Sequence, residues 1–157
     1  MPTLFTVDEV LAATQGQAEG LTGTPFGAVS IDSRELGPDA LFVAIKGDRF
    51  DGHDFVDQAL NNGAAAALVS RGNRRIVVDD ALEGLRDLAR AARARSRAII
   101  VGVTGSVGKT TTKEAIRTVF EDAAETHASI KSFNNHWGVP LMLARLPESA
   151  QFGVFEM

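Results

Sequence analysis

The apolar positions of this chain switch repeatedly between the three-to-four spacing of a helix face and the short apolar runs of strands. Thr6-Val7-Asp8-Glu9 reads as a capping box with Thr6 as N-cap, opening a short helix through Val10 and Leu11 that Gly16 and Gly20 end. Residues 26–31 and 41–45 are strand-like, and Leu36-Gly37-Pro38-Asp39 is a turn between them. Asp54 is placed to cap a helix carrying Phe55, Val56, Ala59 and Leu60, closed by Asn62-Gly63. Residues 64–69 form a buried-strand pattern and 75–78 another strand. Asp80 then caps a helix with Leu82, Leu85, Leu88 and Ala92 that runs to about Arg95. A strand over 98–103 follows, then a helix with Ala115, Ile116, Val119 and Phe120 on one face. A short strand at 126–129, a loop at 131–135, a helix at 140–145 and a strand at 152–156 complete the pattern.

Such alternation predicts an α/β fold with a mainly parallel sheet and right-handed crossovers. Residues 1–80 read as a small N-terminal α/β domain, and 81–157 as the first part of a second, parallel-sheet domain, with the Leu82 helix as hinge or first element. About three strands in the second part leave apolar surface uncovered, so the chain is expected to be the front part of a longer protein.

Composition narrows the function classes. Among the 157 residues the net charge is −4, which argues against a nucleic-acid binder. The basic cluster Arg90, Arg93, Arg95 and Arg97 is most simply a solvated helix face and end. No stretch approaches the roughly 18 consecutive apolar residues of a membrane span. The first ten residues, MPTLFTVDEV, lack the basic and apolar regions of a signal peptide. The absence of cysteine excludes disulfides and thiolate metal sites and fits a cytoplasmic protein. The three histidines lack ligand spacing, so no zinc site is expected.

Candidate chemistry centres on one segment. Ile99, Ile100 and Val101 feed a glycine-rich turn ending Gly108-Lys109-Thr110, and a helix pattern follows at once. Strand, glycine turn, Lys-Thr and helix is the P-loop arrangement. Glycines at 105 and 108 allow the tight turn, and inward N–H groups with the helix's positive end suit a phosphate. Lys109 supplies a charge for the β- and γ-phosphates, and the Thr110 hydroxyl suits Mg²⁺. Val103 stands where the commonest form of the loop has its first glycine, leaving Thr104-Gly105-Ser106-Val107-Gly108-Lys109-Thr110-Thr111. The bland alternative is an ordinary glycine turn with a solvated lysine; a buried strand before it and a helix after it favour nucleotide binding. A GTPase motif of N-K-x-D type does not follow.

Several segments together resemble the Mur ligases, ATP-dependent enzymes that build the peptide of bacterial cell-wall precursors. The loop from Thr104 to Thr110 looks like their phosphate loop, which also lacks the first glycine, and Glu156 sits where the family has a strand-end glutamate. Asp32-Ser33-Arg34, Leu41-Phe42-Val43-Ala44-Ile45-Lys46-Gly47, Phe50-Asp51-Gly52-His53-Asp54-Phe55 and Gly63-Ala64-Ala65-Ala66 are similar to the family's UDP-binding domain. Lys113-Glu114, Ser132-Phe133-Asn134-Asn135 and Gly138-Val139-Pro140-Leu141 look most like the branch that joins D-Ala-D-Ala to UDP-MurNAc-tripeptide. His136-Trp137 departs from that branch, where an acidic residue and an aliphatic are more usual. The rival branch adds diaminopimelate or lysine; a non-catalytic UDP-sugar- and ATP-binding module is a reading of a different class.

The resemblance implies an acyl-phosphate mechanism with ATP and Mg²⁺, and UDP-MurNAc-peptide and D-Ala-D-Ala as substrates. It also implies a monomer, and a fragment inactive by itself. Lys109 and Glu156 become the catalytic candidates, and Thr110 and Glu156 the Mg²⁺ ligands. Ser33 and Arg34, with Lys46, Gly47, Asp48, Arg49, Phe50, Asp51, Gly52 and His53, become UDP contacts; without the resemblance they read as a solvated strand end and a polar loop. His53 fits a loop contact better than a general base. Asn134 and Asn135 are either substrate- or phosphate-binding amides or simple turn formers. Lys113 lies one turn beyond the loop, where its position suits structure.

Overall fold

Two neighbouring strands are buried along their whole length and organise the first half of the chain: β3 (Ala40–Val43) and β4 (Ala66–Val69). The computed structural model describes residues 3–18, 20–21, 25–34, 36–72, 76–130, 133 and 135–157. By backbone proximity the chain divides into a unit Met1–Leu88 and a unit Ala89–Met157, the division falling inside one helix.

In the first unit, α1 (Val7–Thr14) opens on the expected capping box: the Glu9 N–H donates to Thr6 Oγ1 at 3.2 Å, and the Thr6 N–H to Glu9 Oε2 at 2.7 Å. It ends one residue before Gly16, at Gln15, which holds a left-handed backbone (φ 53°) without being glycine. A two-residue strand that the pattern did not announce follows, β1 (Gln17–Ala18). Then come β2 (Ala28–Ser30), β3, a 3₁₀ turn (Gly52–Phe55), α2 (Val56–Asn61), β4, β5 (Ile76–Val77) and α3 (Ala81–Arg95). The sheet runs β1-β5-β4-β3-β2, parallel throughout except for β1 against β5.

The register sets Leu41 beside Ala66, Phe42 beside Ala67 and Val43 beside Leu68. Strand alternation then sends Phe42, Ala44, Ala67 and Val69 to one face, where Val56 and Ala59 of α2 cover them. Leu68 faces the other way, and a Cβ added at Gly84 of α3 would lie 2.8 Å from its Cδ2. Helices on both faces explain why these strands read as unbroken apolar runs. Asp80 caps α3 as expected, its carboxylate accepting the Glu83 N–H at 2.8 Å. The other expected cap moves: the Asp51 carboxylate, not that of Asp54, caps the turn into α2 by accepting the His53 N–H. The reason is that the 3₁₀ turn precedes the helix and starts at Gly52.

In the second unit β6 (Ile99–Val103), α4 (Lys109–Glu121), β7 (Thr126–Ala128), α5 (Gly138–Ala144) and β8 (Phe152–Glu156) form a parallel sheet of order β6-β8-β7. Two expectations about burial are corrected here. Among the described residues β6 has a hydrogen-bonded neighbour on one side, and Ile99 is 63% exposed; within the strand only Val103 is buried. α4 turns Lys113, Ile116 and Phe120 inward, Phe120 stacking on Phe152 at 4.3 Å, whereas Ala115 and Val119 lie exposed. The helix packs its 113–116–120 line on β7 and β8, and the neighbouring 115–119 line is turned away. Among the described residues no helix is long and apolar enough to cross a membrane.

Candidate functional site

The P-loop candidates stand together at the carboxyl ends of β6 and β8, where parallel α/β sheets place ligands. Residues 104–108 are exposed, linking the end of β6 to α4. Gly105 (φ 150°) and Gly108 (φ 75°) both need backbone that side chains rarely adopt, and Gly108 is the N-cap of α4. The Lys109 ammonium reaches back across the turn and donates to the Gly105 carbonyl at 2.8 Å. The cation is thus held by the loop itself, over the amides of the new helix.

Register brings the acidic partner in. Val103, the last residue of β6, pairs with Glu156 on β8, so the glutamate lies at the base of the loop. Glu156 as a whole is 3% exposed, and its carboxylate accepts the Thr110 hydroxyl at 2.9 Å. Two hard oxygen donors side by side, one anionic, fit a magnesium ion, and Thr110 and Glu156 would be the residues to hold it. Among the described residues no group of three or more acidic or imidazole side chains could hold a metal without such help.

The remaining candidates lie elsewhere. Asn134 falls outside the described residues. Asn135 spends its side-chain oxygen locally, accepting the Gly138 N–H at 2.8 Å at the start of α5. The UDP-contact candidates all belong to the first unit. Lys46 bridges Asp51, and the Gly47 N–H donates to the Phe50 carbonyl, closing a tight loop through Asp48 and Arg49. Phe50 is 71% exposed at its tip, edge-on to Phe55. Gly52 sits so close to the backbone of Ala44 and Ile45 that its Cβ would fall 2.7 Å from the Ile45 carbonyl oxygen.

Behind this loop His53 is a brace. The Ser70 N–H donates to Nε2 at 2.9 Å, which puts the ring proton on Nδ1, facing Asp51 Oδ1 at 2.6 Å. The Asp51 carboxyl is held below its usual range, first by the His53 backbone N–H, with the His53 ring and Arg71 adding to it. Lys46, Asp51, His53, Ser70 and Arg71 line a cleft of about 210 Å³ beside it. Ser33 is buried and donates to Gln58 Oε1 at 3.3 Å, while its carbonyl accepts from Asn62. The Arg34 guanidinium is exposed and paired with the Asp32 carboxylate at 2.7 and 2.9 Å.

One buried ion stands out beyond the sequence candidates. Lys113 is 1% exposed, with Nζ 2.6 Å from the Ser129 carbonyl and 2.8 Å from Glu114 Oε1. Its signal was present in the sequence: it shares the inward line of Ile116 and Phe120, where a lysine is out of place.

Fold and loop define a class, an α/β protein built around a P-loop. The Mur ligase family, catalytic domain, matches residues 25–101, and the Mur ligase middle domain matches residues 103–157. The chain belongs to the Mur ligase family. It is 42% identical over 136 residues to the UDP-N-acetylmuramoyl-tripeptide–D-alanyl-D-alanine ligase of Bacillus subtilis (strain 168), covering 82% of this chain and 30% of that protein. The ligase of the same name from Escherichia coli (strain K12) is 37% identical over 156 residues, covering 97% and 34%. Among solved structures, MurF from Acinetobacter baumannii superposes with a TM-score of 0.83 at 34% identity, covering 98% of this chain and 35% of that one. MurF from Thermotoga maritima in complex with ADP gives 0.69 at 36% identity, covering 83% and 31%. The chain spans about a third of the length of these relatives.

Proposed function

We propose that this chain provides the UDP-sugar-binding and ATP-binding portions of a ligase of peptidoglycan precursor synthesis that joins D-Ala-D-Ala to UDP-MurNAc-tripeptide. The reading rests above all on the Thr110–Glu156 oxygen pair at the base of a P-loop, in a chain whose relatives carry that ligase name. In the proposed reaction the γ-phosphoryl group of ATP passes to the terminal carboxylate of the peptide. The amine of D-Ala-D-Ala then displaces phosphate from that acyl phosphate.

No protein nucleophile is needed, so the chain's task is positioning and charge neutralisation. The loop Thr104 to Thr111 cradles the phosphates through its amides, and Lys109 balances charge on the β- and γ-groups. Thr110 and Glu156 hold Mg²⁺, which when bound neutralises the phosphate oxygens. In the first unit Ser33, Arg34 and the loop from Lys46 to Phe50 contact the uridine diphosphate. Asp51, Gly52 and His53 fix that loop from behind, and the amides of Asn134 and Asn135 are assigned to substrate binding. In this reading the protein acts in the cytoplasm, where ATP and nucleotide-linked sugar precursors are available, and as a monomer.

Calorimetric titration of the full chain tests this with magnesium ATP, magnesium GTP and UDP-MurNAc-tripeptide. Saturable binding of ATP in preference to GTP is expected, together with independent binding of the UDP-linked peptide. A folded chain that binds neither ATP nor the UDP-linked peptide sinks the proposal.

A further inference from the structure

A lysine whose side chain is almost wholly removed from water needs a reason. Its stem lies on the inward line of α4 with Ile116 and Phe120, where an apolar side chain of like length packs as well. Replacing buried ions by such side chains is commonly neutral or stabilising, so packing does not call for the charge. Glu114, half-exposed, balances part of it at 2.8 Å. What an apolar residue cannot do is grip the Ser129 carbonyl, and Ser129 is the junction of the site.

Ser129 lies just beyond β7, itself 2% exposed, with each of its polar groups engaged. Its N–H donates to the Val154 carbonyl at 2.9 Å, and its hydroxyl oxygen accepts the Glu156 N–H at 3.0 Å. Its carbonyl accepts from Lys113 at 2.6 Å. From the other side the Glu156 carboxylate accepts the Thr110 hydroxyl. Thr110 and Lys113 are three residues apart on one helix, hence on one face. The bonds therefore close a ring: Thr110 to the Glu156 carboxylate, the Glu156 backbone to the Ser129 hydroxyl, the Ser129 carbonyl to Lys113, and back along one turn of α4.

We propose that Lys113 is a positioning residue for the magnesium–nucleotide complex, holding Glu156 in register with Thr110 through Ser129. This rests on the reading of the P-loop as the ATP site. Lys113 touches neither the metal nor the phosphates; removing it frees the β8 end to shift, and the two oxygens no longer present a fixed pair. Residues that orient metal ligands from behind carry such effects in metal sites generally.

The test separates metal-dependent from metal-independent binding. ATP affinity of the full chain is measured by calorimetry in EDTA and in saturating Mg²⁺, for the unaltered chain, Lys113→Met and Ser129→Ala, with circular dichroism as a check on folding. Lys113→Met is expected to leave affinity in EDTA unchanged and to cut the gain produced by Mg²⁺ about tenfold. Ser129→Ala, which keeps the carbonyl but removes the hydroxyl link, is expected to act in the same direction. An unaltered Mg²⁺ gain in folded Lys113→Met overturns the proposal, as does equal loss of affinity with and without the metal. If Lys113→Met does not fold, Ser129→Ala decides: a reduced gain supports the link and an unchanged one removes it. An unaltered chain that ignores ATP in both conditions overturns the nucleotide reading itself, and this proposal with it.

Discussion

Lys109 and Lys113 stand one helical turn apart and have opposite surroundings. Lys109 is partly exposed and bonded to the Gly105 carbonyl of the glycine turn; Lys113 is sealed against Ser129. Lys109→Ala is accordingly expected to leave the circular dichroism spectrum unchanged. Losing a charged hydrogen-bond donor to phosphate should weaken ATP binding about ten- to a hundredfold by calorimetry. His127 gives the residue scale a pH signature. Burial pushes its imidazole below the ordinary histidine value of 6.5, the Met142 carbonyl 2.9 Å from Nε2 opposes this, and Arg145 adds to the lowering. The folded chain thus binds this proton less readily than the unfolded chain does. The associated stability is complete above the unfolded value and is lost as pH falls through 6.5 toward the folded value. Urea midpoints of the second unit should drop between about pH 7.5 and about pH 5.5, and His127→Phe should flatten that dependence.

At the scale of elements, close backbone approach decides what the loop near β3 tolerates. Gly52 donates its N–H to the Ile45 carbonyl at 2.8 Å, and an added Cβ would meet backbone atoms of Ala44 and Ile45 at 2.7–2.8 Å. Backbone cannot swing aside as a side chain can. Gly52→Ala should therefore destabilise the first unit by about 1–3 kcal/mol in urea unfolding, a typical overpacking penalty. It should also weaken UDP-peptide binding, since the Lys46–Asp51 bridge adjoins that residue. The capping box of α1 was legible because both partners lie within four residues of sequence. The cap before α2 was misplaced by three residues, because a 3₁₀ turn leaves no distinct periodic trace before the helix.

On the scale of the whole molecule, the two candidate ligand sites belong to different units: the Lys46–His53 loop to Met1–Leu88, the P-loop and Glu156 to Ala89–Met157. A ligand that binds only the folded form of one unit suppresses opening there by mass action. Hydrogen exchange should show the division. Magnesium ATP is expected to slow exchange in residues 104–113 and 154–157 and leave β3 and β4 as they were. UDP-MurNAc-tripeptide should slow residues 45–53 and spare the P-loop. Protection by ATP confined to the first unit contradicts the assignment of the sites.

The sequence by itself determined the elements whose causes are local. Thr6 and Glu9 specify a helix start, Asp80 another, and the apolar runs at 41–45 and 64–69 specify strands, the second of them buried. Gly105, Gly108, Lys109 and Thr110 specify a tight glycine turn from strand into helix, since each requirement is met within a few residues. Tertiary structure alone decided what depends on register and on which face a neighbour covers. The pairing of Val103 with Glu156 brings a carboxylate 46 positions away to the Thr110 hydroxyl. Packing on β7 and β8 chose the Lys113–Phe120 line of α4 over the more apolar Ala115–Val119 line. Among the described residues β6 stands at the edge of its sheet, half-exposed despite its β-branched composition. The physical reason is range: caps and turns are settled by hydrogen bonds to adjacent backbone, whereas burial and side-chain encounters follow from contacts between segments far apart in the chain.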